Sequence, residues 1–399
     1  MKKYILGKVC EKIGSGATPR GGSDVYLSQG EFSLIRSQNV YNDGFKPDGL
    51  AFITKKHAEE LNNVEVKQND ILLNITGDSV ARCCQVPAEF LPARVNQHVA
   101  IIRPDSNLID SRFLRYFLIN TTTQEYLLTI AGGGATRNAL TKGMLESLEI
   151  LAPPINEQHV IAEILSAFDN KIELNFQINQ TLEKLCQTIF SHFFVDNTDT
   201  NKWIPINLSE ICSTQYGFTA STLKEKEGPR FLRITDMNKD PWITWQQVPF
   251  CKISENEFQK YKLEIGDILV SRMADPGKAA IMESNIDSVF ASYLVRLKMN
   301  NPHYAYFAYY FLRSSKYLEY SNGAKSGSVQ LGMNAKVITA VNLKLPPEEL
   351  AIEFENQILP FREKINSNLD ENSTLVELRD TLLPKLMSGK LKVNYGNKE

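Results

Sequence analysis

No stretch of this chain stays apolar long enough to cross a bilayer. The longest, around Tyr304–Leu312, falls well short of the roughly 20 residues a spanning helix needs. The opening MKKYILGKVC offers no secretory core, because Lys8 interrupts it. The six Cys include the neighbours Cys83 and Cys84 but no CxxC pair. That spacing argues against a zinc site and a disulfide framework and suits a reducing cytosol. The five His are dispersed, with no metal-ligand spacing. Gly14-Ser-Gly16 and Gly21-Gly22 belong to neither GxxxxGK[ST] nor GxGxxG, so they read as loops, not as a phosphate cradle. Lys and Arg number 44 against 46 Asp and Glu, a net charge of −2. Any basic face must therefore be local.

The same scan leaves little room for an enzyme. An adenine methyltransferase would need Asn/Asp-Pro-Pro-Tyr/Phe, but the Pro pairs here are Ala152-Pro-Pro-Ile155 and Leu345-Pro-Pro-Glu348. Pro47-Asp48 with Glu65-Val-Lys67 has the spacing of a magnesium-holding nuclease motif. The second half has Glu264 but no Lys two residues on. No catalytic residue, metal or cofactor is expected.

What is present is a repeat built on two long helices. From about Asn156 to Phe194 the residues Phe168, Ile172, Asn175, Asn179, Leu182, Cys186 and Ile189 alternate in steps of four and three. That period forms one seam, as in a coiled coil. A helix of about forty residues is about 60 Å long and needs a partner to cover such a seam. A gapless shift of 193 residues carries Pro153 onto Pro346 and yields a second seam: Phe361, Ile365, Asn368, Asn372, Leu375, Arg379 and Leu382. Phe, Ile, both Asn and the first Leu recur in identity. Polar seam residues trade stability for register and partner choice. Pro360 is expected to break or kink the second helix.

The repeat extends over the whole chain. Leu6–Cys10 resembles Leu208–Cys212, Leu34–Arg36 resembles Phe231–Arg233, Asn69–Leu73 resembles Gly266–Val270, and Tyr116–Leu118 resembles Tyr310–Leu312. The offset drifts, so the intervening loops differ in length. Each half reads as a variable mixed α/β part followed by a constant helix. Strands are predicted over Phe32–Arg36, Asp70–Ile75 and His98–Arg103, then Phe231–Ile234, Asp267–Ser271 and Tyr293–Leu297. Helices are predicted near Ser111–Leu128 and Tyr304–Tyr320. The aromatics of Tyr304–Tyr310 have helical spacing and read as core. The Pro pairs close each globular part, and Asp196–Lys202 reads as a linker.

These features together resemble the specificity subunits of type I restriction–modification systems. The resemblance spans the chain. It is carried by the two-half layout, Pro153-Pro-Ile-Asn-Glu-Gln158, Lys171-Ile-Glu-Leu-Asn175, Asn179-Gln-Thr-Leu182 and Leu383-Pro-Lys-Leu-Met-Ser-Gly-Lys390. The second helix departs at Pro346-Pro-Glu-Glu-Leu, without Glu-Gln after the Pro pair. The resemblance implies an α+β fold, with two pseudo-repeated target recognition domains separated by two helices in an antiparallel coiled coil. The expected division is 1–152 and 196–345 for the recognition domains, 153–195 and 346–391 for the helices, and 392–399 for a tail. It implies a non-catalytic cytoplasmic subunit that reads a bipartite, asymmetric site in double-stranded DNA. Two modification (methyltransferase) subunits and restriction/translocase subunits would dock on it, and no membrane is involved. The competing reading is a coiled-coil scaffold that binds no DNA.

DNA reading needs Arg, Lys, Asn and Gln on loops that can enter a groove. The candidates in the first half are Arg36, Gln38, Asn39, Arg82, Arg94, Asn96, Gln97 and Arg137. Those in the second half are Arg233, Arg272, Lys278, Lys325 and Gln330. Arg36 and Arg233 occupy matched positions, which also suits a shared structural role. The helices carry more apolar residues than one seam uses: Ile161, Ile164, Leu165, Phe176, Leu185, Phe190, Phe193 and Phe194. Phe193 and Phe194 are assigned to subunit docking, with packing against the globular parts as the competing use. If helix length sets half-site spacing, inserting one heptad into each helix lengthens the DNA spacer by about 10 Å, on the order of three base pairs. An unchanged spacer in that variant refutes the idea.

Overall fold

A computed structural model describes residues 1–132, 138–237, 240–273, 276–324 and 332–393. The candidates Arg137, Lys325 and Gln330 lie outside the described residues. The chain divides into two compact units. One combines Met1–Lys171 with Leu375–Glu399, and the other is Ile172–Thr374.

In the first unit, strand Lys2–Ile5 pairs antiparallel with Glu149–Ala152. This brings the start of the globular part beside its end, where Pro153-Pro154 hands over to the first long helix, Ile155–Phe190. A four-stranded antiparallel sheet follows the order Cys10–Ser15, Val99–Pro104, Ile71–Asn74, Cys83–Gln85. A second sheet holds one parallel pair, Phe32–Ile35 with Ala93–Val95. Strand Ile71–Asn74 is buried throughout, because its residues face a core on both sides: Ile71 and Leu73 in one cluster, Leu72 in another.

The second unit repeats this plan. Ile204–Asn207 pairs with Asn342–Leu345. The antiparallel sheet runs Cys212–Tyr216, Leu294–Met299, Ile268–Ser271, Ala279–Ile281. Arg230–Leu232 pairs in parallel with Ser288–Phe290. Residues Tyr304–Leu312 are all buried, as their aromatic spacing predicts.

Each globular core is completed by the start of one long helix and the end of the other. Ile161, Ala162 and Leu165 join Leu383, Leu386 and Met387 in the first unit's core. Cys186, Phe190, Phe193 and Phe194 join Ala351, Phe354 and Ile358 in the second's. The second helix, Glu348–Met387, runs unbroken through Pro360. The expected break is absent because Pro360 is exposed while Ile358 and Arg362 are held in the unit on either side of it. That packing offsets the roughly 3 kcal/mol an internal Pro costs.

Within the second unit the seam pairs antiparallel. The Asn175 amide donates to Asn372 Oδ1 at 2.8 Å, and the Asn368 amide to Asn179 Oδ1 at 2.8 Å. Asn179 and Asn372 then donate to the carbonyls of Ile365 and Ile172, both at 3.4 Å. Ile365 is fully buried, and Ile172, Leu182, Ile189 and Phe361 are half-buried around them. In the first unit, Phe168, Leu375 and Leu382 are half-buried, and Asp169 receives Arg379 at 2.7 Å.

A buried charge fastens each helix pair to its globular part. In the first unit Arg115 and Tyr116 donate to Asp169 at 2.7 and 2.6 Å. Burial works against that carboxylate, but Arg115, Tyr116 and Arg379 outweigh it and hold it below its usual range. In the second unit Arg362 reaches Glu183 at 2.6 Å and Glu283 at 2.7 Å, with Tyr310 and Arg313 also on Glu183.

Leu386 is 1% exposed. Leu386→Ala should destabilise the first unit by about 2–5 kcal/mol. Hydrogen exchange should show protection lost in residues 1–171 and kept in 204–345. Equal loss in both units would contradict the division of the cores.

Candidate nucleic-acid interface

The first unit carries an open cleft of about 590 Å³ lined by Gln38, Thr76, Asp78, Arg82, His98 and Asn138, among others. Four loops build it. The first is the tight turn after strand Phe32–Ile35. Asn39 donates its main-chain N–H to the Arg36 carbonyl at 2.8 Å, while its side chain accepts from the Arg36 N–H at 3.1 Å. Asn39 is fully buried and also donates to the Lys46 carbonyl. Its candidacy as a DNA contact is therefore corrected: it holds the loop. Arg36 donates to the Gly49 carbonyl at 2.6 Å and lies over Tyr26, whereas Gln38 is exposed at the cleft.

The second loop leaves strand Ile71–Asn74. Ala81 is buried in the left-handed region, at φ 71°, a conformation that costs an L-residue roughly 1–2 kcal/mol. It is held there by its N–H on the Asn74 carbonyl and by Gln124 on its own carbonyl. The next residue, Arg82, lies over the Tyr41 ring at 4.7 Å. The third loop is the turn Asn96–Val99, which carries Gln97 outward and His98 into the cleft. The fourth is the strip at Asn138–Ala139, bridged to Thr76.

Two further candidates are corrected. Arg94 has a 4% exposed side chain and donates to the carbonyls of Ala58 and Ala93 and to Asn62, each at 3.0 Å. It ties a strand to the neighbouring helix. Asn96 is buried and accepts the His98 N–H at 3.1 Å, shaping the turn. Phe193 and Phe194, each 8% exposed, lie in the second unit's core against Phe354. They offer no docking surface, because their rings are spent inside.

In the second unit Arg233 repeats the role of Arg36. Its N–H donates to Asp236 at 2.9 Å, and its guanidinium takes both Asp236 oxygens at 3.0 and 2.8 Å. The matched pair is thus part of the frame, and Asp236 offsets the charge of Arg233. Arg272 lies over Tyr216 at 4.9 Å, and Lys278 is exposed just before strand Ala279–Ile281. Thr76, His98 and Tyr293 are not among the sequence candidates. A finer alignment would have found the last: His98 and Tyr293 fall at one offset, 195, in the two halves.

Burial pushes the thiols of Cys10 and Cys84 up to about 12 and those of Cys186, Cys212 and Cys251 to about 11, so they stay protonated near neutrality. Among the described residues no His, Cys, Asp and Glu group could hold a metal, and no helix is long and apolar enough to cross a membrane.

A family model described as the type I restriction modification DNA specificity domain matches residues 1–184 and 200–359. The specificity subunit of the type I restriction enzyme HindI of Haemophilus influenzae is 24% identical, over 82% of this chain and 87% of its own. That of MjaIX from Methanocaldococcus jannaschii is 28% identical, over 96% and 91%. That of EcoKI from Escherichia coli is 22% identical, over 93% and 84%. The crystal structure of a type I restriction–modification S subunit from M. genitalium shares the fold, with a TM-score of 0.59 at 18% identity over 96% of this chain and 95% of that one.

Burial separates two kinds of polar residue. Arg94→Ala should lower the first unit's stability by about 1–3 kcal/mol through unpaired carbonyls. Gln38→Ala should stay within about 0.5 kcal/mol of the parent and weaken duplex binding. Thermal unfolding beside a binding titration checks both, and the reverse pattern would reassign the two residues.

Proposed function

Because this chain belongs to the type I restriction modification DNA specificity family, we propose that it is the DNA-reading subunit of a restriction–modification complex. The globular part of each unit reads one half of a bipartite, asymmetric site in double-stranded DNA. The observation that carries this reading is a backbone frame repeated in both units that presents unlike side chains. Gln38 and Thr76 in the first have Thr235 and Met273 as counterparts in the second. A scaffold has no need of such paired variation, whereas a reader of two unlike half-sites requires it.

The chain itself does no chemistry in this proposal and binds no cofactor. Two modification subunits and the restriction/translocase subunits dock on it, in the cytoplasm where DNA is found. Arg82 and Arg272, parked over Tyr41 and Tyr216, are suited to phosphate or base contacts; Gln38, Gln97 and Lys278 stand exposed. Phosphate contacts position a protein on the duplex and base-edge contacts specify sequence, so both kinds of residue are needed.

Enrichment from a random duplex library tests this, with the chain co-purified with its modification subunits at two salt concentrations. Two short, unlike motifs at a fixed separation are expected. Salt-sensitive binding with no enriched motif would mean phosphate contact alone, and absence of binding would favour the scaffold.

A further inference from the structure

One reverse turn is closed and anchored by the same set of main-chain bonds in the two units. In the first it is Asn96–Val99, closed by Val99 N–H on the Asn96 carbonyl at 3.1 Å; in the second it is Ala291–Leu294, closed at 2.9 Å. Asn96 N–H bonds the Ile35 carbonyl and Ala291 N–H the Leu232 carbonyl. Behind the turn, Gly16 N–H reaches Val99 and Gly217 N–H reaches Leu294. The carbonyls of the third residues, His98 and Tyr293, each accept one N–H at 3.0 Å, from Ile75 and Arg272. A Cβ on Gly16 would lie 2.0 Å from the Val95 carbonyl oxygen, and one on Gly217 would lie 2.3 Å from that of Phe290. Both positions therefore require glycine and press the preceding loop onto the turn. Thr18 donates its hydroxyl to Gln97 Oε1, and Thr219 donates to Ser292 Oγ.

Within this constant frame the two central residues change completely, Gln97–His98 in one unit and Ser292–Tyr293 in the other. The two Gly and the two Thr are the same in both units, whereas Asn96, whose side chain accepts the His98 N–H, has Ala291 as its counterpart. We infer that these central pairs select the base pairs of the two half-sites. The inference rests on the DNA-reading function proposed above and names where that reading occurs.

The chemistry can be followed atom by atom in the first unit. The Gln97 amide donates one hydrogen to His98 Nε2 at 3.0 Å. His98 Nε2 is then an acceptor, so Nδ1 carries the ring proton and donates to Thr76 Oγ1 at 2.6 Å. Gln97 Oε1 already accepts from Thr18. The amide is thus fixed in orientation with one N–H and one oxygen lone pair left over. One donor beside one acceptor matches N7 and N6 of adenine in the major groove. Gln97 is the reader, and His98 is a positioning residue that holds it. In the second unit the Ser292 hydroxyl, having accepted from Thr219, keeps a proton to donate. Tyr293 beside it is 59% exposed and presents a ring face and a phenol. This pair would choose differently.

The test exchanges the pairs in the full complex with its modification subunits. Library enrichment is run on the wild type, on Gln97→Ser with His98→Tyr, and on Ser292→Gln with Tyr293→His. Each exchange should change preference at one or two adjacent base pairs of a single half-site, with discrimination there falling on the order of 10-fold to 100-fold. The other half-site and the spacing should be unchanged. Should a double exchange fail to fold, Gln97→Ser alone, which keeps an acceptor for Thr18, is read the same way. A wild-type motif retained by the exchanged complexes, or uniform weakening on every sequence, overturns the inference alone. A wild-type complex that enriches no bipartite motif overturns the underlying function and the inference with it.

Discussion

Two asparagine pairs set the register on which everything else depends. Asn175 meets Asn372 and Asn368 meets Asn179. The 193-residue repeat carries one pair onto the other, because Asn175 maps to Asn368 and Asn179 to Asn372. The carbonyls they also use, Ile172 and Ile365, exchange in the same way. These four amide bonds are therefore two-fold symmetric although the helices belong to one chain. A slip along the seam would strand buried amides opposite apolar side chains, at about 1–3 kcal/mol for each lost partner. The seam thus gives up some apolar burial and gains a single alignment.

The seam alone does not choose between parallel and antiparallel. A parallel, in-register pair would bring Asn175 to Asn368 and Asn179 to Asn372, which also satisfies amides. The cores decide. The first unit's core takes residues 161–165 of one helix and 383–387 of the other, and the second's takes 186–194 and 351–358. Only helices running in opposite directions can deliver a start and an end to the same core. The anchoring charges add discrimination between the halves. Asp169 and Arg362 are repeat-equivalent yet opposite in sign, and their partners are opposite too, Arg115 in the first unit and Glu283 in the second. Docking a helix on the wrong globular part would bury like charges together. Leaving even one partner of a buried pair uncompensated costs about 3–5 kcal/mol. Two halves built on the same plan are thus told apart by charge as well as by their loops.

The features legible in the sequence are those with a period. The seam, the repeat, both long helices and the closing Pro pairs follow from spacing, which survives without knowledge of distant contacts. The site was legible in part. Gln38, Arg82 and Gln97 reach the surface as expected, while Arg94, Asn39 and Asn96 face inward, because polar groups can be spent on carbonyls and caps that only the folded chain brings near. Phe193 and Phe194 show the converse: an apolar residue announces burial but not against what. The cleft joins residues near 38, 76–82, 98 and 138, four segments with no shared motif, and no local pattern predicts their meeting. Pro360 misled because its local cost is outweighed by tertiary packing on both sides.

The matched turns explain how a recognition protein can change what it reads without refolding. The bonds that the two turns share are made by main-chain groups and by the two threonines, and Asn96 adds one more in the first unit. None needs a particular side chain at 98 or 293, and Thr18 or Thr219 needs only an acceptor at 97 or 292. Substitutions at such positions fall among those that shift stability by no more than about 0.5 kcal/mol. Fold and specificity are thereby placed on separate atoms. A buried frame that tolerated no glycine replacement would be a poor evolutionary target, but the side chains it displays are free to vary. The internal repeat is the evidence from this chain alone: one frame, used twice, carries an amide and an imidazole in one unit and a hydroxyl and a phenol in the other.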